Sequence, residues 1–144
     1  MPNQRQEWMA VLARADATDL QTASEGLLPP YQVLRGPEAG LVMVRGRAGG
    51  NGGPFNLGEA TVIRCTVRTA AGQVGHAYCL GRDPRHAELA AALDAALQDP
   101  AQHDAIHAQI ITPLARAQTQ RREQAARRAA ATQVQFFTMA TMRK

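Results

Sequence analysis

The sequence predicts an α+β fold: an antiparallel β-meander of about four strands, flanking helices, and a C-terminal helical arm that ends in an extended segment. Three observations carry this. The apolar, β-branched runs between Tyr31 and Leu80 are joined by turns too short to hold a crossover helix, so neighbouring strands must run antiparallel. A strong helix start, Asp83-Pro84, follows the last run. From Ala101 onward the composition is mostly that of a helix.

Trp8, Val11, Leu12 and Ala15 recur at helical spacing and predict a short amphipathic helix. Leu20, Ala23 and Leu27 predict a second, ended by Gly26 and Pro29-Pro30. Tyr31 to Leu34 reads as a strand and Gly36-Pro37-Glu38-Ala39-Gly40 as a turn, after which Leu41 to Arg47 pairs back as a hairpin. Glu59 to Thr69 is the next strand, with Ile63, Cys65 and Val67 on one face and Val62, Arg64, Thr66 and Arg68 on the other. Ala70-Ala71-Gly72-Gln73 turns the chain, and Val74 to Leu80 returns it. In the helix that starts at Asp83, Leu89, Leu93, Ala96 and Leu97 form the buried stripe, and Asp99-Pro100 ends it. The following helix is broken or kinked near Pro113. Between Ala115 and Ala131 it carries no apolar residue larger than alanine, which marks a helix that reaches away from its own core.

The chain has 144 residues, enough for one domain: a globular α+β part over 1–100 and a helical arm with an apolar tail over 101–144. Much of its 45% apolar content is alanine and only 4% is aromatic, so a thin core that leans on a partner is expected. A net charge of +4 favours an acidic partner or an anionic ligand. No apolar run reaches membrane-spanning length, the N-terminus is polar through Glu7, and two cysteines are too few for a disulfide scaffold. A reduced, cytoplasmic protein is the expectation.

Candidate chemistry centres on Gly46-Arg47-Ala48-Gly49-Gly50-Asn51-Gly52-Gly53-Pro54-Phe55, a glycine-rich loop among Arg45, Arg47, Arg64 and Arg68. Uncovered backbone amides and arginine forks suit a phosphate. The loop lacks the Lys-Ser/Thr ending of a P-loop and opens no helix, so it is either an anion cradle or a plain connection. Arg82 and His86, with Glu88 nearby, stand at a helix start that either clamps an anion or is simply capped by Asp83. His103 and His107 lie one helical turn apart, a spacing that suits zinc, but without the glutamate of a His-Glu-x-x-His pair they read better as solvated helix residues. Cys65 and Cys79 are symmetric about Gly72 and, in a regular hairpin, face each other across two strands. Arg116, Arg121, Arg122, Arg127 and Arg128 form a basic stripe without stacking aromatics, with Glu123 placed to pair with Arg127, which argues against nucleic acid. No nucleophile–base set or carboxylate pair stands out.

An ordered set of segments resembles one family: Val44 to Gly52, Gly58-Glu59-Ala60-Thr61 with Arg64 and Val67-Arg68, and Gly81-Arg82-Asp83 with His86-Ala87-Glu88. Trp8-Met9, Leu93-Asp94-Ala95, Pro113-Leu114, and Val134 with Phe136-Phe137-Thr138-Met139 extend it over nearly the whole chain. Together they resemble PhnG, the G subunit of the bacterial carbon–phosphorus lyase system. The resemblance implies a subunit that joins PhnH, PhnI and PhnJ and acts with PhnL. The assembled system takes MgATP and an alkylphosphonate, displaces adenine, and makes a ribose 1-alkylphosphonate 5-triphosphate. The nucleosidase-type chemistry falls chiefly to PhnI, so no cofactor or metal is expected on this subunit alone. If a phosphate or phosphonate comes near this chain, Arg45, Arg47, Gly49, Gly50, Arg64, Arg82 and His86 are the expected contacts. Val134, Phe136, Phe137 and Met139 are the expected docking residues, as an apolar end on a polar arm. A small anion-binding regulatory or nucleic-acid-binding module is the competing expectation.

Overall fold

A computed structural model describes residues 3–47 and 52–142, with side chains as far as 133 apart from those of 47, 54 and 56. Two short helices open it, α1 (Gln4–Arg14) and α2 (Ala17–Ser24). Each begins on a capping side chain. Asn3 accepts from the Gln6 backbone N–H while Gln6 reaches back to the Asn3 N–H, and Asp16 accepts from Thr18 and Asp19.

The sheet has three strands in the order β1 (Tyr31–Arg47), β2 (Pro54–Thr69) and β3 (Val74–Leu80), all antiparallel. The expected meander is therefore correct in direction and one strand too long in count. Tyr31–Leu34 and Leu41–Arg47 do not form a hairpin with each other. Both pair with β2, and Gly36-Pro37 is absorbed as an irregularity in one continuous strand. The reason lies at Gly36, whose φ is +80° and where a Cβ would stand 2.6 Å from the Arg64 carbonyl oxygen. The glycine lets β1 press against β2 and bulge, where the expected turn would have left it.

Helix α3 (Pro84–Leu97) starts as expected, on Asp83 with Pro84 in the first turn. It lies across one face of the sheet, with α1 and α2 also packed against it. Leu89, Leu93, Ala96 and Leu97 are buried, but so are Ala87, Ala90, Ala91, Ala92 and Ala95. A helix apolar on all sides is one enclosed on all sides. The alanines are the means of close approach: a Cβ on Gly75 of β3 would overlap the Ala91 carbonyl and stand 2.6 Å from the Ala95 nitrogen. The core is thus built from small residues brought near one another.

Asp99 caps α4 (Pro100–Ile106), which runs through a π-helical turn (His107–Ile111) into α5 (Thr112–Met142). The kink expected near Pro113 takes the form of this wider turn, which sits where proline withdraws its backbone N–H. Ile106, Ile110 and Ile111 join the core, and Gln118 donates to the Val11 carbonyl. Residues 121–133 are exposed throughout. The helix then continues to Met142, so the extended ending predicted around Val134–Met139 is overturned. No glycine or proline follows Pro113, and extending an existing helix costs far less than nucleating a new element.

Candidate functional site

Strand alternation sorts the sheet into two faces. Gly75, Ala77 and Cys79 of β3 and Cys65 and Val67 of β2 turn towards α3, and all are buried. Arg64 and Thr66 of β2 and His76 and Tyr78 of β3 occupy the opposite, open face. β1 contributes two more side chains to that face through its bulges. Arg35 stands opposite Thr66, and Glu38 opposite Arg64. Arg35 and Glu38 are three residues apart and would lie on opposite faces of a regular strand. Between Val33 and Glu38, however, β1 advances five residues while β2 advances three, from Val67 to Arg64. The surplus residues bring both side chains to one face.

There Glu38 Oε1 accepts from Arg64 Nε at 2.9 Å and from Arg35 Nε at 3.0 Å. Thr66 Oγ1 lies 3.1 Å from His76 Nδ1. With Tyr78 these side chains line a cleft of about 320 Å³. Two guanidinium groups share one carboxylate, so the cluster carries a net positive charge. Both arginines are more than half exposed, which makes the ion pairs weak contributors to stability. The arrangement suits holding an anion. Neither buried thiol is activated: burial pushes the Cys79 thiol up to about 11, and burial followed by the charge of Glu88 pushes Cys65 up as well.

Of the residues expected as anion contacts, Arg64 alone lines this cleft, and Cys65 borders it from the buried side of β2. Arg45 pairs with Asn56, seven residues beyond Glu38 along β1, roughly 23 Å away at 3.3 Å per residue. The Arg47 side chain and all of Gly49 and Gly50 lie outside the described residues. Arg82 is exposed just after β3. His86 is buried, and its Nε2 donates to the Leu12 carbonyl at 2.9 Å, which makes it a tie between α3 and α1. Glu88 accepts from the Tyr31 hydroxyl at 2.6 Å. Among the described residues, Arg45, Arg64, Arg82 and His86 do not converge on one site.

His103 and His107 are also accounted for locally. His103 Nδ1 donates to the Leu97 carbonyl at 2.9 Å, its Nε2 lies 3.1 Å from the Gln4 amide nitrogen, and its ring stacks at a tilt between Trp8 and His107. Among the described residues no three His, Cys, Asp or Glu side chains group as metal ligands. Cys65 and Cys79 are free and share a face, but they are not opposite each other. Cys65 pairs with Ala77 and Cys79 with Ile63, because the hairpin is centred one residue before Gly72. Glu123 and Arg127 form no ion pair.

Sequence reasoning missed the most tightly held polar residue. Asp94, on α3, is fully buried. Its Oδ1 accepts from Arg5 Nε at 3.1 Å and Trp8 Nε1 at 2.8 Å, and its Oδ2 from Arg5 Nη2 and the His76 backbone N–H, both at 2.9 Å. Hydrogen bonding to Asp94 pushes the Arg5 pKa further up. One carboxylate therefore joins α1, α3 and β3, and fixes the backbone of His76 just beneath the cleft. The available signal was a lone aspartate inside the Leu93-Asp94-Ala95 core helix: a charge there must be paired.

A second concavity of about 470 Å³ lies between α1 and the start of α5, lined by Trp8, Val11, His107, Ile111 and Arg116 among others. The third notable surface is the far half of the β1–β2 ribbon. β3 pairs with β2 only from Val62 to Arg68, so 54–61 pair with β1 alone. Leu41, Met43, Val44, Phe55 and Leu57 are exposed there, Leu41 at 65% and Leu57 at 62%.

Two comparisons bear on this structure. The family model described as phosphonate metabolism protein PhnG matches residues 3–142. A curated protein of Rhizobium meliloti (strain 1021), named alpha-D-ribose 1-methylphosphonate 5-triphosphate synthase subunit PhnG, is 48% identical over 141 residues, covering 94% of this chain and 88% of that protein.

Proposed function

The chain belongs to the PhnG family, and we propose that it serves as a subunit of the complex that forms alpha-D-ribose 1-methylphosphonate 5-triphosphate from MgATP and methylphosphonate, with release of adenine, in organophosphonate catabolism. The observation that supports this best is the uncovered apolar surface of the β1–β2 ribbon. A two-stranded ribbon exposing Leu41, Met43, Val44, Phe55 and Leu57 is marginal in water by itself and calls for a covering partner. The exposed stretch 121–133 of α5 points the same way, as a polar arm; the side chains of Val134, Phe136, Phe137 and Met139, which follow it in sequence, lie outside those described.

In this reading the ribbon and the arm dock on PhnI, within an assembly that also holds PhnH and PhnJ and works with PhnL in the cytoplasm. The chain shapes a site completed by its partners and carries out no chemistry alone. It holds no cofactor of its own, and MgATP is a substrate of the whole assembly. Among the described residues no helix is long and apolar enough to cross a membrane.

The test is co-purification with PhnI, followed by an assay for adenine release from ATP and methylphosphonate. Leu41→Asp combined with Leu57→Asp, and separately removal of residues after Thr132, are each expected to cut PhnI recovery at least tenfold and to abolish adenine release. Full recovery with both alterations combined overturns the docking assignment.

A further inference from the structure

We propose that the cleft on the open sheet face is a binding site for a small tetrahedral oxyanion of the phosphate or phosphonate type, held by Arg35 and Arg64 with Thr66, His76 and Tyr78 at its edge. This goes beyond a role in assembly, because the residues lie on the three-stranded part of the sheet and away from the uncovered ribbon.

The first ground is that the cleft is built by a local departure from regular structure. The β1 ladder shifts register between Val33 and Arg35 and again between Arg35 and Glu38. Gly36 makes the second shift possible with a φ of +80° in a space where a Cβ would also press within 2.9 Å of the Glu38 nitrogen. Bulges bend a strand and re-aim its side chains. Here the result is to place two guanidinium groups on one face, which the exposed ion pairs do not explain as a gain in stability.

The second ground is donor supply. Each arginine uses its Nε on the same Glu38 oxygen, and a guanidinium has five N–H donors in a fixed fork. Among the described residues Glu38 is the sole carboxylate in ion-pair reach of either arginine. Their terminal nitrogens therefore remain for a ligand. Thr66 and His76 hold each other at 3.1 Å, and Tyr78 adds a hydroxyl.

The third ground is charge. The titratable groups lining the cleft are Arg35, Arg64, Glu38, Cys65, His76 and Tyr78, and Arg68 stands two residues beyond Thr66 on the same strand face. One carboxylate does not balance these arginines. A doubly charged ligand with three oxygens engages two forks at once, which the single shared oxygen of Glu38 cannot do. Glu38 then acts as a built-in competitor that keeps the arginines together when the cleft is empty.

The experiment is titration calorimetry on the intact chain at constant ionic strength, with methylphosphonate, inorganic phosphate, inorganic triphosphate and acetate in separate arms. Saturable binding of at least one phosphorus oxyanion, and at least tenfold weaker binding of acetate, is expected. Arg64→Ala and Arg35→Ala should each weaken binding at least tenfold, and Arg82→Ala less than twofold. Arg35→Lys, which keeps the charge and removes the fork, should also weaken it and covers the case in which an alanine variant does not fold. Glu38→Gln should tighten binding severalfold, because it removes the competitor. The proposal is overturned if no arm saturates, if Arg82→Ala matters as much as Arg64→Ala, or if Glu38→Gln weakens binding. The order among the three phosphorus arms tells a phosphonate site from a polyphosphate site. Loss of PhnI binding leaves this measurement untouched, so the docking and anion readings fail separately.

Discussion

The α3–sheet core and the β1–β2 ribbon are made from the same strands yet obey opposite rules. In the core, small residues bring helix and sheet together until Gly75 has no room for a methyl group, and the buried charge of Asp94 has four donors. In the ribbon, large side chains such as Leu41 and Leu57 stand in water. The core is covered within this chain, whereas the ribbon's large apolar side chains have no cover among the described residues. A substitution in the first region should therefore be read in stability and one in the second in assembly.

The sharpest way to break that comparison is at Asp94. Asp94→Ala leaves Arg5 without its partner and leaves the Trp8 indole N–H and the His76 backbone N–H unpaired in the interior. Arg5 is 40% exposed and can rehydrate, so the cost falls mainly on the donors left unpaired, about 2–4 kcal/mol in all. Urea unfolding should show a loss of that size. A loss below about 1 kcal/mol would mean that the carboxylate does not tie the three elements together. Gly75→Ala comes next. The added methyl must push α3 from β3 against backbone atoms on both sides, and such overpacking costs about 1–3 kcal/mol. The same unfolding measurement checks it, and an unchanged midpoint would contradict the close approach.

The same division explains what the sequence disclosed. α1 and α2 were legible from the spacing of their apolar residues, and α3 from its Asp83-Pro84 start, because these signals are local: Asp83 acts on residues within three positions. The burial of one β2 face was legible for the same reason. The path of β1 was not. Gly36-Pro37 has the composition of a turn, and only the partner strand decides that the chain continues through it as a bulge. The cleft inherits that difficulty, since Arg35 and Glu38 meet Arg64 through a register shift that no spacing rule contains. Arg64 was legible as an outward-facing arginine, while Arg35, His76 and Tyr78 entered only with the pairing. His86 has the residue type and the place of an anion contact, yet it is tied by a carbonyl 74 positions away on α1. At the C-terminus the aromatic content suggested a strand, and helix propagation from an alanine-rich segment overrode it.

The ribbon gives the contrasting prediction. Leu41→Asp and Leu57→Asp replace side chains that are already in water, so each should shift the stability of the isolated chain by no more than about 0.5 kcal/mol. Under the proposed docking, their effect should appear instead in co-purification with PhnI. A large loss of stability in the isolated chain would show that the ribbon packs on its own core after all, and the distinction between the two regions would fall.

The smallest effect is one of pH, and it again belongs to the core. Burial raises the Cys79 thiol from its ordinary 9.0 to about 11, and Cys65 and Tyr31 are raised too. A raised value means that the folded chain keeps a proton which the unfolded chain gives up. Stability from this source is fully present below pH 9 and declines as pH rises from about 9 to 11, because the unfolded state then binds fewer protons than the native one. Urea midpoints under reducing conditions should be flat from pH 7.5 to 8.5 on this account and fall at higher pH. Cys79→Ala should lower the midpoint at neutral pH through lost packing, yet make it less sensitive to alkali. A variant as alkali-sensitive as the parent chain would place Cys79 in water, and with it the strand face that α3 covers.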